Sequence, residues 1–514
     1  EIYRVAGVWH VFAASGSNVA FVLALSYFLF RYLPPPLRIG FTVAMLILYA
    51  LLCGGNAPIV RATILGIAAL GGMLGKGKLA GTRLLWLAGA GMFVFKPLWI
   101  KDIGFQLSFA ASWGIMALSP YLLKTRLLYS MPALLRTAAA VAFAAQIAVF
   151  PLLILAFHRV SLIGIVTNVF ILFVLGAVLE LGLIGVILTP LGILAVPFFQ
   201  VGIWLIQLAD ALLRAMVSFP WSEAWVVNPG LPFVLCWYLA IGVLLVGRHR
   251  AEFVLTVYWR KLRRWLPLNH EKMSFLGEKF SLKWVALGLL LLLLLSPWTR
   301  DDVLRVSFID VGQGDAILIE GPGGRALLVD TGPAYDDYNA GESVVLPYLL
   351  HKGIKRLEGL ILTHEHLDHT GGVTPVLARM PVNWVGIPDT GGEVFEEGWE
   401  GVLPSAYLEN AAKLITLREG DRINLGDRVT LDVIAPSGHI RGTRSDANNN
   451  SVVLRVRYGA MDVLLTGDVE LEGLAEIADN GWLGDGKIEV LKVPHHGSRY
   501  SFDPLIWDEV HPEL

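Results

Sequence analysis

Ten apolar runs follow one another through the first three hundred residues, near 8–30, 39–55, 59–75, 84–97, 103–121, 137–157, 161–187, 191–213, 231–247 and 281–298. A helix needs roughly 20 apolar residues to cross the hydrocarbon core of a bilayer. Inside lipid the backbone must satisfy its own hydrogen bonds, so runs of this length fold as helices. Several are short or merge with a neighbour. The expectation is a polytopic all-α membrane bundle over residues 1–300, followed by a different kind of domain over 301–514.

Charge divides the chain at the same place. Residues 1–300 hold 24 Lys and Arg but 8 Asp and Glu, whereas residues 301–514 hold 17 and 35. The basic residues of the first part collect in alternate loops: Arg31 and Arg38, then Lys76, Lys78 and Arg83, then Lys124, Arg126 and Arg136, then the 248–283 segment. By the positive-inside tendency these loops are cytoplasmic, and the run at 281–298 then delivers the second domain to the outer face. The stretch 258–266 mixes basic and aromatic side chains and suits an anionic leaflet. Membrane lipid is thus one expected partner, and an inner (cell) membrane location the expected one. The opening residues carry no charged-then-apolar leader with a cleavage site, so the start is expected to be an internal one. Cys53 and Cys236 both sit in apolar runs with no metal-binding spacing.

Polar residues inside such spans are expensive and face a partner or a cavity. His10, Ser15 and Asn18 fall in the first span, Asn56 and Arg61 around the start of the third, and Gln106 and Ser108 in the fifth. They fit either hydrogen bonds between helices or a polar path through the bundle. For such a path the excess of basic residues favours a polyanion over a cation.

From Val303 the period changes. Short apolar strands fit 303–310, 316–320, 325–330, 359–363, 429–435, 451–457, 461–466 and 488–493, and helices fit 343–352, 370–379, 405–413 and 470–480. Strands and helices alternate, which implies an α/β domain layered αββα. After the strand at 359–363 comes Thr363-His364-Glu365-His366-Leu367-Asp368-His369, three imidazoles and a carboxylate at a strand-to-helix turn. Imidazole and carboxylate ligands suit zinc and manganese alike. Two later strands end in Asp468 and in His495-His496-Gly497-Ser498, and strand-end ligands from separate segments can meet at one sheet edge.

In this order, Asp330, His364-x-His366-x-Asp368-His369, Asp468 and a late histidine resemble the metallo-β-lactamase superfamily. Phe308-Ile309-Asp310-Val311-Gly312-Gln313-Gly314-Asp315, Leu328-Val329-Asp330-Thr331-Gly332, Asn450-Ser451 and Pro494-His495-His496-Gly497-Ser498 are similar to the ComEC family of DNA-internalisation proteins. So are His10 with Ser15-Gly16, Asn56-Ala57-Pro58 with Arg61-Ala62, and Gly104-Phe105-Gln106-Leu107-Ser108. The resemblance runs from about residue 5 to 512. It implies two divalent ions, Zn2+ or Mn2+. His364 and His366 would hold one, Asp368 and His369 the other, Asp468 would bridge them, and His495 would complete the second. Asp330 would orient ligands from behind. Where the superfamily often has a further histidine this chain offers Asn449, Asn450 and Ser451, so the first ion would be completed by His439, Asn450 or water. The family pattern also continues past Leu514 and begins with an extra small β domain, so the chain is expected to be a fragment.

The resemblance implies a channel for single-stranded DNA in natural transformation, with an extracytoplasmic nuclease degrading the other strand. Asp368 would orient the attacking water, while His496 and Ser498 would touch a phosphate oxygen or the leaving group. A DNA receptor is an expected partner. No Gly-x-x-x-x-Gly-Lys-Ser/Thr run occurs, so an ATP-driven motor would be a separate cytoplasmic protein. Two alternatives stand beside this: a channel whose metallo domain is not catalytic, and a tethered metallohydrolase with another substrate.

Overall fold

The computed structural model divides into two compact units, Glu1–Leu293 and Leu294–Leu514. It describes residues 2–9, 16–74, 81–219, 221–247, 303–389, 413–426, 428–481 and 488–502, with a few isolated positions besides.

After a short helix α1 (Ile2–Val5), the first unit is built on α2 (Gly16–Leu29), α3 (Pro35–Leu52), α4 (Ala57–Leu74), α5 (Gly81–Phe95) and α6 (Ile103–Leu122). It continues through the short α7 (Arg126–Tyr129), α8 (Ala133–Phe157), α9 (Gly164–Leu188), α10 (Val196–Val217) and α11 (Gly230–Val246). Each of the nine long helices overlaps one of the apolar runs. The run at 281–298 and most of the basic 248–283 segment lie outside the described residues, as do His10 and Ser15. Pro35–Leu52, Ala133–Phe157 and the Gly164–Val217 stretch are long and apolar enough to cross a membrane. That last stretch is broken at Gly192, whose φ of 58° no helix tolerates. Local chemistry sets other ends. Asp102 caps α6 by accepting from the amide of Phe105 at 2.6 Å, and proline opens α3.

Small residues let these helices approach. A Cβ on Gly114 of α6 would lie 2.3 Å from the Cβ of Ala148 on α8. Trp237 Nε1 and Tyr238 Oη on α11 donate to the carbonyls of Ile147 and Ala148, both at 2.8 Å. A two-stranded pair, β1 (Arg159–Ser161) with β2 (Glu223–Trp225), ties the α8–α9 turn to the α10–α11 turn.

The second unit holds two facing sheets. The first runs β10 (Lys413–Leu417), β9 (Trp384–Pro388), β8 (Gly359–Ile361), β5 (Ala326–Val329), β4 (Ile317–Glu320), β3 (Arg305–Phe308). The second runs β11 (Arg422–Asn424), β12 (Val429–Ala435), β13 (Val453–Tyr458), β14 (Met461–Leu465), β15 (Val490–Lys492). A small hairpin of β6 (Ala334–Tyr335) and β7 (Tyr338–Asn339) stands apart. Alternate residues point to opposite faces of a strand. Ile317, Ile319, Leu327, Val329, Val433, Leu454, Val456 and Leu465 accordingly meet in one core between the sheets. Ile434, Val453 and Leu464 face the other way, under α15 (Leu471–Asp479) with its Leu474 and Ile477. Leu318, Leu328 and Leu360, pointing away from the central core, are wholly buried too. Helices α12 (Leu346–His351) and α14 (Val373–Arg379) carry the buried apolar faces that complete this layer.

One expectation fails here. Lys413 opens strand β10 rather than closing a helix at 405–413, whose remaining residues 405–412 lie outside the described ones. The strand pairs in parallel with β9, which was not expected either. Parallel strands at a sheet edge are joined by distant crossovers, and neither local alternation nor a turn marks them.

Candidate metal centre

Four strand ends deliver the polar residues to one sheet edge. Asp330 follows β5 in a left-handed conformation, φ 58°. This bend turns its carboxylate inward, where it accepts from the Thr363 amide at 2.8 Å and the Thr363 hydroxyl at 2.7 Å. It also lies 2.8 Å from His369 Nδ1. Thr363 and His364 leave β8, and the short helix α13 (Leu367–Thr370) begins just after His366. The tight path of this turn depends on glycine. A Cβ on Gly314 would lie 2.1 Å from the carbonyl of Asp368, so residue 314 must lack one for the 311–315 turn to pass beneath. Asp468 leaves β14. His495 and His496 leave β15 and both hold left-handed backbone, φ 45° and 52°. Strain of this kind outside glycine collects at functional sites.

Two clusters result, each with its ligand atoms within 4.8 Å of one another: His364, His366 and Asp368; and Asp315, His369, Asp468 and His496. Asp468 Oδ2 lies 3.2 Å from His369 Nε2 and 3.3 Å from His496 Nε2. His364 Nε2 is 3.1 Å from His366 Nδ1. His369, His364, Asp330 and Asp468 are buried.

The expected sixth ligand, His495, stands farther out. Its Nε2 is 3.8 Å from Asp468, and its Nδ1 is 3.2 Å from Glu470, which also pairs with Arg444. Its neighbour His496, expected as a phosphate contact, occupies the cluster instead. The Ser498 hydroxyl accepts from the Tyr500 amide at 3.4 Å. Asn450 holds the 440 loop, donating to the carbonyls of Ile440 and Asp446 and accepting from the Ile440 amide.

Three contributors were not foreseen. Asp315 joins the second cluster, Lys492 is a buried ammonium 2.5 Å from Asp315 and 3.6 Å from Asp468, and Glu470 is wholly enclosed beside His495. The available signals were an acid directly after a glycine turn and a lone lysine inside an apolar strand.

Charge and burial shape the site. Burial disfavours the charged imidazole of His369, but Asp330 and Asp468 outweigh it and hold the group well above the ordinary histidine value. Hydrogen bonds to Asp368 and Asp468 raise His496 to about 9 against a smaller burial effect. Burial, reinforced by the neighbouring His369, drives His364 well below. Burial alone would raise Asp468, yet His369, His496 and Lys492 keep it far below the usual carboxylate range. Burial likewise opposes ionisation of Asp368, but His496 and His369 bring it to about 2.

These residues fit divalent ions. His369 Nε2 and Asp468 Oδ1 are buried without a hydrogen bond, an arrangement that a cation would satisfy. Asp330 fixes the His369 ring from behind, as carboxylates do for metal-binding histidines. The donor set is imidazole and carboxylate throughout.

In the first unit, Arg61 on α4 and Ser108 on α6 come together, since Arg61 Nη1 donates to the Ser108 carbonyl. Gln106 donates to the carbonyl of Ile100 at 2.9 Å. Asn56 stands exposed at the start of α4, and Asn18 is half-buried on α2.

Residues 1–251 match the family described as "Competence protein", and residues 309–503 match the "Metallo-beta-lactamase superfamily". ComE operon protein 3 of Bacillus subtilis is 27% identical over 99% of this chain and 63% of its own length. Recombination protein 2 of Haemophilus influenzae is 26% identical over 100% of this chain and 64% of its own. Competence protein ComA of Neisseria gonorrhoeae is 25% identical over 100% and 65%. The chain thus spans less than two thirds of the length of these relatives. The fold of its second unit is that of a metallohydrolase superfamily whose members bind divalent metals. The chain thus carries a competence-protein domain followed by a metallo-β-lactamase domain, and along its whole length it is similar to competence proteins of the ComEC type.

Proposed function

We propose that this protein carries a single strand of DNA across the cell membrane through its helical unit, while the metallo unit, on the extracytoplasmic side, hydrolyses phosphodiester bonds of the strand left outside. The observation that carries the hydrolytic half is the meeting of His364, His366, Asp368, His369, Asp468 and His496 from three separate strand ends. His364, His366 and Asp368 would hold one ion, Zn2+ or Mn2+, and His369, Asp468 and His496 the other. Two such ions would supply charge to the phosphodiester oxygens and acidify a water at neutral pH.

The chain's own groups do the rest. Asp330 keeps His369 in the tautomer that leaves Nε2 facing Asp468. Asp368, ionised and a third exposed, is placed to orient a water at the mouth of the site. Lys492 holds Asp315 by an ion pair and adds positive charge beneath Asp468. Ser498 remains a candidate for contact with a phosphate oxygen or the leaving group, and His495, displaced from the cluster, becomes a second one.

An acidic domain grips DNA poorly through charge alone, because non-specific affinity rests on Lys and Arg neutralising phosphates. Stacking offers another grip. Tyr335 and Tyr338 stack on each other at 6.3 Å on the small β6–β7 hairpin, with Tyr335 exposed. The hairpin leans on the metal-binding turn, since Asn339 donates to the carbonyl of Gly371. On the Glu470 side, Arg444 lies 4.0 Å over the ring of Tyr500. Exposed aromatic faces with arginine are what unpaired bases stack on. A receptor delivering the duplex and a cytoplasmic ATP-driven motor complete the proposal.

The test is Asp468→Ala in the full-length protein, assayed for cleavage of end-labelled DNA and for DNA uptake by cells. Loss of both with the protein still folded supports the scheme. Cleavage at the wild-type rate removes hydrolysis from it, and uptake at the wild-type level separates hydrolysis from passage.

A further inference from the structure

The β6–β7 hairpin is fixed to the metal-binding turn through backbone. The Thr331 amide and hydroxyl donate to the carbonyl of His369 at 2.7 and 3.0 Å. The Gly372 amide donates to the carbonyl of Gly332 at 3.1 Å, and Asn339 Nδ2 to that of Gly371 at 3.0 Å. The two segments approach too closely for side chains between them. A Cβ on Gly371 would lie 2.2 Å from the Ala334 amide nitrogen, and one on Gly341 2.2 Å from the Gly372 carbonyl oxygen. Ala334–Tyr335 therefore runs alongside Leu367–Thr370 in one fixed arrangement.

What the hairpin displays is aromatic and acidic. Tyr335 and Tyr338 are direct cross-strand partners, so both rings stand on one face of the ribbon. The rings lie 22° from parallel with centroids 6.3 Å apart, and they are 62% and 37% exposed. Leu367, between His366 and Asp368, is 65% exposed. Asp336 and Asp337 form the exposed tip, and no Lys or Arg occurs from Gly332 to Leu350. The two tip carboxylates repel phosphate and the anionic face of a membrane. Flat uncharged rings meet no such barrier, and a nucleotide base stacks on aromatic side chains whatever its sequence. In a duplex those ring faces are already covered, and two phosphate backbones would have to pass the acidic tip.

We propose that the β6–β7 hairpin is a shelf for one unpaired base of the strand being cut, so that the metallo unit works on DNA only where a nucleotide has left the duplex. The shelf rests on the reading that the metal centre hydrolyses phosphodiesters. Because the hairpin is fixed to the histidine turn, a base held by Tyr335 and Tyr338 sets where its phosphate lies relative to His366 and Asp368. The two tyrosines are positioning residues, and Asp336 and Asp337 turn a second backbone away. A strand whose partner has been drawn off meets this requirement along its whole length.

The experiment uses the full chain in lipid nanodiscs, loaded with Mn2+. Two fluorescein-labelled phosphorothioate strands that resist hydrolysis are compared, oligothymidylate and the same backbone with abasic sugars. The wild type is expected to bind oligothymidylate about tenfold more tightly. Tyr335→Ala and Tyr338→Ala should each shrink that preference, the double variant should abolish it, and Tyr335→Phe should keep it. Asp336→Asn with Asp337→Asn should tighten the binding of intact duplex. Cleavage should be confined to a duplex circle carrying a single-stranded gap, with the covalently closed circle spared. Equal affinity of the wild type for the two strands would overturn the proposal, as would cleavage of the closed circle at the gapped rate. A photo-crosslinker at Tyr335 that captures nanodisc lipid instead of thymidylate would make the hairpin a membrane contact and overturn it too. A preference lost in the double variant, with no DNA cut by the wild type, would uphold the shelf and sink the hydrolysis reading. Cleavage at the gap with the preference intact in the double variant would do the reverse.

Discussion

In the membrane unit the residues wholly enclosed on α8 are small, namely Ala140, Ala144 and Ala148, and α6 meets them with Gly114. Many large apolar side chains point outward, Phe95 at 91% exposure among them, while others such as Leu46, Ile59 and Leu213 pack between helices. In the metallo unit Ile319, Leu327, Val433 and Leu454 fill the space between two sheets. The difference follows from the surroundings. Lipid removes the drive to hide leucine, so helices there associate through close backbone contact between small residues, whereas water drives large apolar groups into a core. Buried charge differs in the same way. Arg61 has no carboxylate partner among the described residues. In the metallo unit Lys492 has Asp315, Arg444 has Glu470, and His369 has Asp330 and Asp468. One unit encloses a charge with a carbonyl and a hydroxyl as its partners, and the other packs acids and bases densely against one another.

Four measurements can break or sharpen this contrast. The largest effect is expected from Asp468→Ala, which removes the carboxylate shared by His369 and His496. Metal content of the purified protein should fall to near zero for the second cluster, a loss beyond the roughly 10–100-fold that outer partners contribute. Full metal retention would show that the dense charge is structural. Next comes Asp330→Asn, which keeps the shape but removes the charge behind His369. Metal affinity, read by competition with a chromophoric chelator, should drop about 10–100-fold, while the melting temperature of the metal-free protein tells a folding defect from a ligand defect.

The third is a pH series. The folded-state value of His496 lies near 9, above the ordinary histidine value, so at pH 7 an entering ion must displace its proton. Affinity should therefore climb as pH rises from 7 to about 9, by up to roughly tenfold per unit for each proton released, and then level off. His496→Gln should flatten that climb, and an unchanged slope would place His496 outside the metal site. The smallest effect is expected from Gly114→Leu. It forces a large side chain against Ala144 and Ala148, at a cost of about 1–3 kcal/mol, visible as a lower melting temperature in detergent. An unchanged melt would mean that α6 and α8 do not depend on close contact.

Much of this was legible beforehand. The apolar runs marked each of the long helices among the described residues, and strands β4, β5, β12, β13 and β14 fell on apolar stretches that ended near a glycine, a proline or an acid. The histidine run marked the candidate metal site because its possible ligands stand within six residues of one another. The illegible parts share a cause. Asp315 and Lys492 meet across 177 positions of chain, and no local pattern encodes such a contact. β9 and β10 were missed because their pairing depends on a crossover, so a strand lies where a helix was expected to end.

Ligand types, their order along the chain and the change from lipid-facing to water-facing patterning are properties of the sequence alone, since they depend only on which side chains occur and how often. Which of the adjacent His495 and His496 enters the cluster was decided by tertiary structure. A left-handed φ at both residues turns one imidazole toward Asp468 and the other toward Glu470. The position of Arg61 was decided there too, because its partners Ser108 and Ser112 and its neighbour Gly16 belong to other helices and come within reach only once the bundle has closed.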